Sequence, residues 1–279
     1  MLTLAIDSTA ATAACALSRD GRLVAMNTVD GRLTHSEILL PMIERMLADS
    51  ALRIDDVDMF ACATGPGSFT GVRIGAATIK GLAFGSGKPC VGVSTLEALA
   101  YNLELGITPE EMAAYDCGMA ANDRDIDIAR QSCENDIAQM NSDTVKTAQD
   151  RDILVVPVMD ARRGQVYTAL FKSGERRSED MLIKLEELRE RLDGYTCGIY
   201  FVGDGYDAAM RFFAGDSRVR MTSPLLIPHN AFSVARVAER VFTASDDKTQ
   251  FGCESMSPRY LRAPQAERER LERMAASSQ

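Results

Sequence analysis

Asp7-Ser8-Thr9 follows an apolar run, Leu2 to Ile6, that reads as a buried strand. An acid at a strand end can hold a cation or orient water, while neighbouring hydroxyls and backbone N–H groups face phosphate oxygens. The same Asp can instead make only a local turn bond. Gly65-Pro66-Gly67-Ser68-Phe69-Thr70-Gly71-Val72-Arg73 leads from a second strand into a helix. Its glycines let the backbone approach a partner closely, and a helix N-terminus favours anions. It lacks the Lys-Ser/Thr ending of a Walker loop. Asp160-Ala161-Arg162-Arg163-Gly164 can bind phosphate through its arginines or be a solvated hairpin tip. Gly203-Asp204-Gly205 follows a strand and can cradle a nucleotide, although G-x-G alone is a weak signal. The phosphate-loop-like set is thus Asp7, Ser8, Thr9, Gly65, Gly67, Ser68, Asp160, Gly203 and Gly205.

Other chemistries find less support. His35 and His229 are the only histidines, and neither sits in an HxxxH or HExxH spacing, which argues against a His-rich metal site. Each reads first as a capping or packing residue. The seven cysteines form no CxxC pair, so reduced thiols fit better than disulfides or a zinc knuckle. The net charge of −9 lacks the basic surplus of a protein that grips nucleic acid alone. Much of that acidity lies in residues 105–150, with ten acids against three bases. No apolar run is long enough to span a bilayer, and the first residues lack the basic flank of a signal peptide, so a cytoplasmic location is expected.

The elements that must position these residues follow from pattern. Ala11–Leu17 and Leu23–Thr28 read as strands joined at Asp20-Gly21, a hairpin signal. Thr34 to Glu37 fits a capping box opening a helix to about Asp49, with Pro41 marking either a kink or a later start. The apolar band of that helix (Ile38, Leu39, Met42, Ile43, Met46, Leu47) is wider than packing on one sheet requires. Val57–Ala63 and Cys90–Val93 read as strands, with helices to about Phe84 and Leu103 after them. The second helix is rich in small residues, including Gly71, Gly75, Gly81 and Gly85, which suits either close approach to another helix or tight packing on its own sheet. After the acidic stretch the pattern resumes. Ile153–Met159, Val166–Phe171 and Gly198–Val202 read as strands, and Leu182–Leu192, Asp207–Phe213 and Asn230–Thr243 as helices. The expected division is 1–104, an insertion at 105–152, a second half at 153–262 and a charged helical tail at 263–279.

Several of these strings, in order, resemble the bacterial TsaB (YeaZ) family. They are Asp7-Ser8-Thr9, His35-Ser36-Glu37 with Leu40-Pro41, Gly65 to Arg73, Gly92 to Glu97, Met159 to Tyr167, and Pro258 to Arg262. The resemblance implies an α/β, actin-like pair of ribonuclease-H-like domains and a role in making threonylcarbamoyladenosine in tRNA. It also implies a non-catalytic dimerisation subunit that pairs with a TsaD-like paralogue, is joined by a TsaE-like ATPase, can form a homodimer, and meets tRNA only through the complex. ATP and a divalent metal are then expected on the partner subunits, and the phosphate-loop-like set here can be vestigial. Family contact runs through the first two helices, which places His35, Ile38, Leu39, Met42, Ile43, Met46, Ile74, Thr78 and Leu82 at the partner interface. TsaD-like chains hold metal with an HxxxH pair; here Leu39 stands where the second ligand would be and cannot coordinate. The alternative left open is an autonomous ATP-dependent phosphotransferase, with Asp7, the Gly65 loop, Asp160 and Gly203 around the nucleotide.

Overall fold

A computed structural model of the chain describes residues 1–31, 34–106 and 152–262. The acidic insertion, save for its ends, and the charged tail lie outside the described residues. The first half opens with β1 (Leu2–Asp7), β2 (Thr12–Arg19) and β3 (Arg22–Asp30), an antiparallel meander. Asp20 and Gly21 both take positive φ (50° and 79°), as a two-residue hairpin turn requires. β4 (Met59–Ala63) and β5 (Cys90–Val93) extend the sheet in parallel, giving the order β3-β2-β1-β4-β5.

Helix α1 (His35–Asp49) starts where its capping box predicts: the Thr34 N–H donates to the Glu37 carboxylate at 3.1 Å. Pro41 lies inside α1 and marks no later start. Leu39, Ile43, Met46 and Leu47 are buried against the sheet with Leu4, Ile6 and Leu17. Helix α2 (Phe69–Ala83) is capped by Ser68, whose hydroxyl accepts from the Gly71 N–H at 3.3 Å. Gly71 and Gly75 face the chain's own β1–β2 turn, since a Cβ on either would strike Ser8, whereas Ala77 and Gly81 are exposed.

The second half repeats this plan. β6 (Ile153–Asp160), β7 (Gln165–Thr168), β10 (Met181–Lys184), β11 (Gly198–Val202) and β12 (Val219–Arg220) run in the order β10-β7-β6-β11-β12. Two antiparallel pairs lie on one side of β6 and two parallel pairs on the other, the arrangement seen around β1. The fold is therefore the expected actin-like pair of ribonuclease-H-like units. Two segments differ from the sequence expectation. Val166–Phe171 is not one strand: β7 ends at Thr168, and β8 (Phe171–Lys172) turns to pair with β9 (Glu175–Arg176). Leu182–Leu192 divides into β10 and helix α4 (Leu185–Leu192), because Met181–Lys184 completes the ladder against β7. Helix α5 (Tyr206–Phe212) follows β11.

The two helices beside the cleft are exchanged between the halves. Helix α3 (Thr95–Gly106) sends Leu96, Leu99, Ala100 and Leu103 into the core of the second sheet, with Ile153, Val155 and Met159. Helix α6 (Ala231–Ala244), capped by Asn230, packs Val234, Ala235, Val237 and Ala238 on Ala5, Met59, Ala61 and Val91 of the first sheet. The assignment of all of 153–262 to a second domain thus needs revision, because α6 covers the first sheet. No helix among the described residues is long and apolar enough to cross a membrane.

Candidate functional site

β1 ends in Asp7 and β6 in Asp160, and both aspartates make the same turn. The Thr9 N–H donates to Asp7 Oδ1 at 2.9 Å, and the Arg162 N–H donates to Asp160 Oδ1 at 2.7 Å. These are Asx-turns, each bending the chain from a first strand toward a second. The two turns and the loop after β11 surround a cavity of about 310 Å³, lined by Thr9, Gly67, Ser68, Asp160, Tyr167 and Asp204 among others. Ser68 N–H donates to the Thr9 carbonyl at 2.6 Å, and a Cβ on Gly67 would lie 2.4 Å from that oxygen. Asp204 Oδ1 accepts from the Asp160 N–H at 3.0 Å and so ties the β11 loop to the end of β6. Burial pushes the Asp204 carboxyl above its usual range, partly offset by the charge of His229.

Of the sequence-derived set, Thr9, Gly67, Ser68 and Asp160 line this cavity. The others serve the scaffold. Ser8 donates its hydroxyl to the Gly71 carbonyl at 2.9 Å, holding α2 on the β1–β2 turn. Gly65, with φ of 112°, makes room for the Arg259 carbonyl. The Gly203 N–H donates to Ile227 O at 2.7 Å and the Gly205 N–H to Val158 O at 2.9 Å, so neither is offered to a phosphate. Arg162 and Arg163 sit exposed at the hairpin tip, both with positive φ.

Asp7 is sealed. It is 1% exposed, and both carboxylate oxygens are taken: Oδ1 by the Thr9 N–H and by its hydroxyl (2.6 Å), Oδ2 by His229 Nδ1 at 3.0 Å. A carboxylate only accepts, so Nδ1 carries the hydrogen. Burial alone would raise the Asp7 pKa, but the charge and hydrogen bond of His229, with the Thr9 bonds, hold it below the ordinary value. Burial alone would lower that of His229, yet Asp7, and more weakly Asp204, hold it above the ordinary imidazole value. Sequence reasoning missed His229 because a lone histidine after Pro228 carries no sign of a partner near the other terminus.

A divalent ion with nucleotide phosphates does not fit these residues, because reaching Asp7 would require expelling the imidazole. Among the described residues, no three His, Cys, Asp or Glu side chains gather closely enough to hold a metal. His35 is engaged elsewhere, its Nε2 lying 3.2 Å from the Ala11 carbonyl. The described cysteines are all free, and burial pushes Cys90 up to about 11 and Cys15 up to about 12, far from a reactive thiolate.

The second candidate surface lies on α1 and α2, which touch. Leu39, Ile43 and Met46 are at most 2% exposed and belong to the core, so their assignment to a partner interface is corrected. His35, Ile38 and Met42 on α1, and Ile74, Thr78 and Leu82 on α2, are half-buried; Leu40 and Phe84 are exposed, Phe84 by 84%. Beside α2 runs the strap Pro258–Arg262. Tyr260 stacks on Phe69 with centroids 4.9 Å apart, and its hydroxyl accepts from Arg73 Nε at 3.1 Å. The Arg259 N–H donates to Thr64 O at 2.7 Å. Arg262 donates to Ala161 O at 2.7 Å, joining the strap to the second half.

Residues 31–121 match the model of the TsaD family, tRNA N6-adenosine threonylcarbamoyltransferase. A tRNA threonylcarbamoyladenosine biosynthesis protein TsaB of Haemophilus influenzae is 41% identical over 117 residues, covering 42% of this chain and 49% of that protein. The TsaB protein of Bacillus subtilis is 29% identical over 207 residues, covering 73% and 71%. Among solved structures, YeaZ from Pseudomonas aeruginosa superposes with a TM-score of 0.61 at 21% identity, covering 93% of this chain and 99% of that one, which shows a shared fold. The match spans about half the length of the Haemophilus relative and some two thirds of the Bacillus one.

Proposed function

We propose that the chain is a member of the TsaB/YeaZ family and acts in tRNA threonylcarbamoyladenosine biosynthesis as a non-catalytic subunit that binds and activates a TsaD-type transferase. The observation that carries this reading is the half-buried apolar stripe of α1 and α2, with Ile38 and Met42 on one helix, Ile74 and Leu82 on the other, and Phe84 exposed at the end. Such a surface, already ordered by the sheet beneath it, suits a second helix pair. A related chain of the TsaD type offers a surface built on the same plan. Burial there supplies about 25 cal/mol per Å² of apolar area. A TsaE-type ATPase joins the assembly, and tRNA is held by the partners, in keeping with a net charge of −9.

The reading as a subunit without its own chemistry is supported by Asp7, whose oxygens are already committed to Thr9 and His229. A cavity of about 310 Å³ bordered by Asp160 and Asp204 favours a second reading, an autonomous ATP-dependent phosphotransferase. Co-purification with a TsaD-type transferase separates the two. The wild-type chain is expected to elute with the transferase, and Met42→Glu with Leu82→Glu to abolish co-elution while leaving the thermal melt of the isolated chain intact. An undiminished complex would remove α1 and α2 as the docking face. Saturable ATP hydrolysis by the chain alone, lost in Asp7→Asn, would favour the phosphotransferase.

A further inference from the structure

Two observations about the buried Asp7–His229 pair are left over. His229 is 2% exposed, and its Nε2 has no hydrogen-bond partner within the chain. Its other ring nitrogen is held by Asp7 Oδ2. Asp204, which borders the cavity from the second half, adds a weaker charge interaction with the ring. A buried carboxylate needs compensating charge or donors, and a bound cation is one ordinary source of them. In this chain the donors come from Thr9 and from His229, a residue carried in on the loop before α6.

We propose that the His229 imidazole is a built-in plug on Asp7, taking the place a cation would hold there and closing this carboxylate to divalent ions. The plug belongs to the chain itself, because the ring is buried on the loop before α6 and occupies the one Asp7 oxygen that Thr9 leaves open. The inference does not depend on the docking role: the plug can be present whether or not α1 and α2 hold a partner.

The test uses the full-length chain and Mn²⁺ as probe, followed by water-proton relaxation. Wild type is expected to show no saturable site up to about 1 mM, the weak end of oxygen-ligand cation sites. His229→Ala is expected to gain a single saturable site, at least about tenfold tighter than any wild-type binding, and the double variant with Asp7→Asn to lose it. A wild-type Mn²⁺ site abolished by Asp7→Asn would overturn the proposal. So would a His229→Ala chain as indifferent to Mn²⁺ as wild type. Where His229→Ala fails to fold, His229→Gln replaces it. In addition, ¹⁵N spectra of the wild-type ring, resolved from the other histidine in a His35→Gln background, must show a protonated Nδ1. An unprotonated Nδ1 would overturn the proposal independently of any variant.

Discussion

Gly71 and Gly81 lie on the same helix and answer to opposite constraints. A Cβ on Gly71 would sit 1.9 Å from the Ser8 carbonyl, whereas Gly81 has nothing within 4 Å. Gly71→Ala should therefore cost at least about 1–3 kcal/mol, the usual toll of forcing atoms into a packed site. Gly81→Ala should gain about 0.5–1 kcal/mol from lost unfolded-state freedom. Urea unfolding of both variants checks the contrast; equal effects would mean that Ser8 yields freely. The small-residue pattern was legible in the sequence, but what pressed against it was not, because spacing along α2 does not name the β1–β2 turn as the neighbour. Asp7 and His229 carry a similar lesson: the strand-end acid could be picked out by its position, the histidine that neutralises it could not. Their linkage to pH has a definite sign. Asp7 is held below its ordinary 3.8, so its contribution is present above that value and fades as pH falls through the folded value. His229 is held above its ordinary 6.5, so its contribution is complete below 6.5 and fades as pH rises through the folded value. The urea midpoint should then be highest between about 4 and 6.5 and decline on either side. His229→Gln should flatten the alkaline decline, and parallel profiles for the two chains would show that the pair stores no pH-dependent stability.

At the scale of elements, α1 shows how a helix overrides a residue that disfavours it. An interior proline costs about 3 kcal/mol, yet burying Leu39, Ile43, Met46 and Leu47 returns roughly 1.5–3 kcal/mol each, so the helix runs through Pro41 from its capping box. The amphipathic band of α1 was readable from spacing, but the division of that band between core and outer face was not. Burial depends on where the sheet lies, and Ile43 and Met42, adjacent in sequence, fall on either side of that line. Ile43→Ala should cost about 2–4 kcal/mol, while Met42→Ala should cost under about 1 kcal/mol and act instead on partner binding. Thermal unfolding of the two variants decides it, and an equally large loss for Met42 would place it in the core. The strap gives a third comparison. Tyr260→Ala removes the stack on Phe69 and the acceptor for Arg73, for a loss of about 1–2 kcal/mol. Tyr260→Phe keeps the stack and should recover most of it. The two strand misreadings have one cause: Met181–Lys184 and Val166–Phe171 are short apolar runs whose state is settled by the strand they meet, which local pattern does not contain.

Over the whole molecule, the repeated order β3-β2-β1-β4-β5 and β10-β7-β6-β11-β12 was only faintly visible in sequence, as a hairpin followed by alternating helix and strand in each half. The exchange of α3 and α6 between the halves was invisible there, since neither helix carries a mark of which sheet it will cover. That exchange changes what the halves can do alone. Without α6, residues 1–104 would leave Ala5, Met59, Ala61, Ala63 and Val91 uncovered on one face of the first sheet. A sheet needs both faces covered when its central strands are parallel and buried throughout, as β1 and β4 are. The fragment 1–104 should therefore be poorly dispersed in amide NMR spectra and unfold without a cooperative transition. The intact chain should show one calorimetric transition, because α3 and α6 make each half part of the other's core. Two independent domains would instead give two transitions and a folded 1–104 fragment, and either result would show that the exchanged helices add to halves already stable without them.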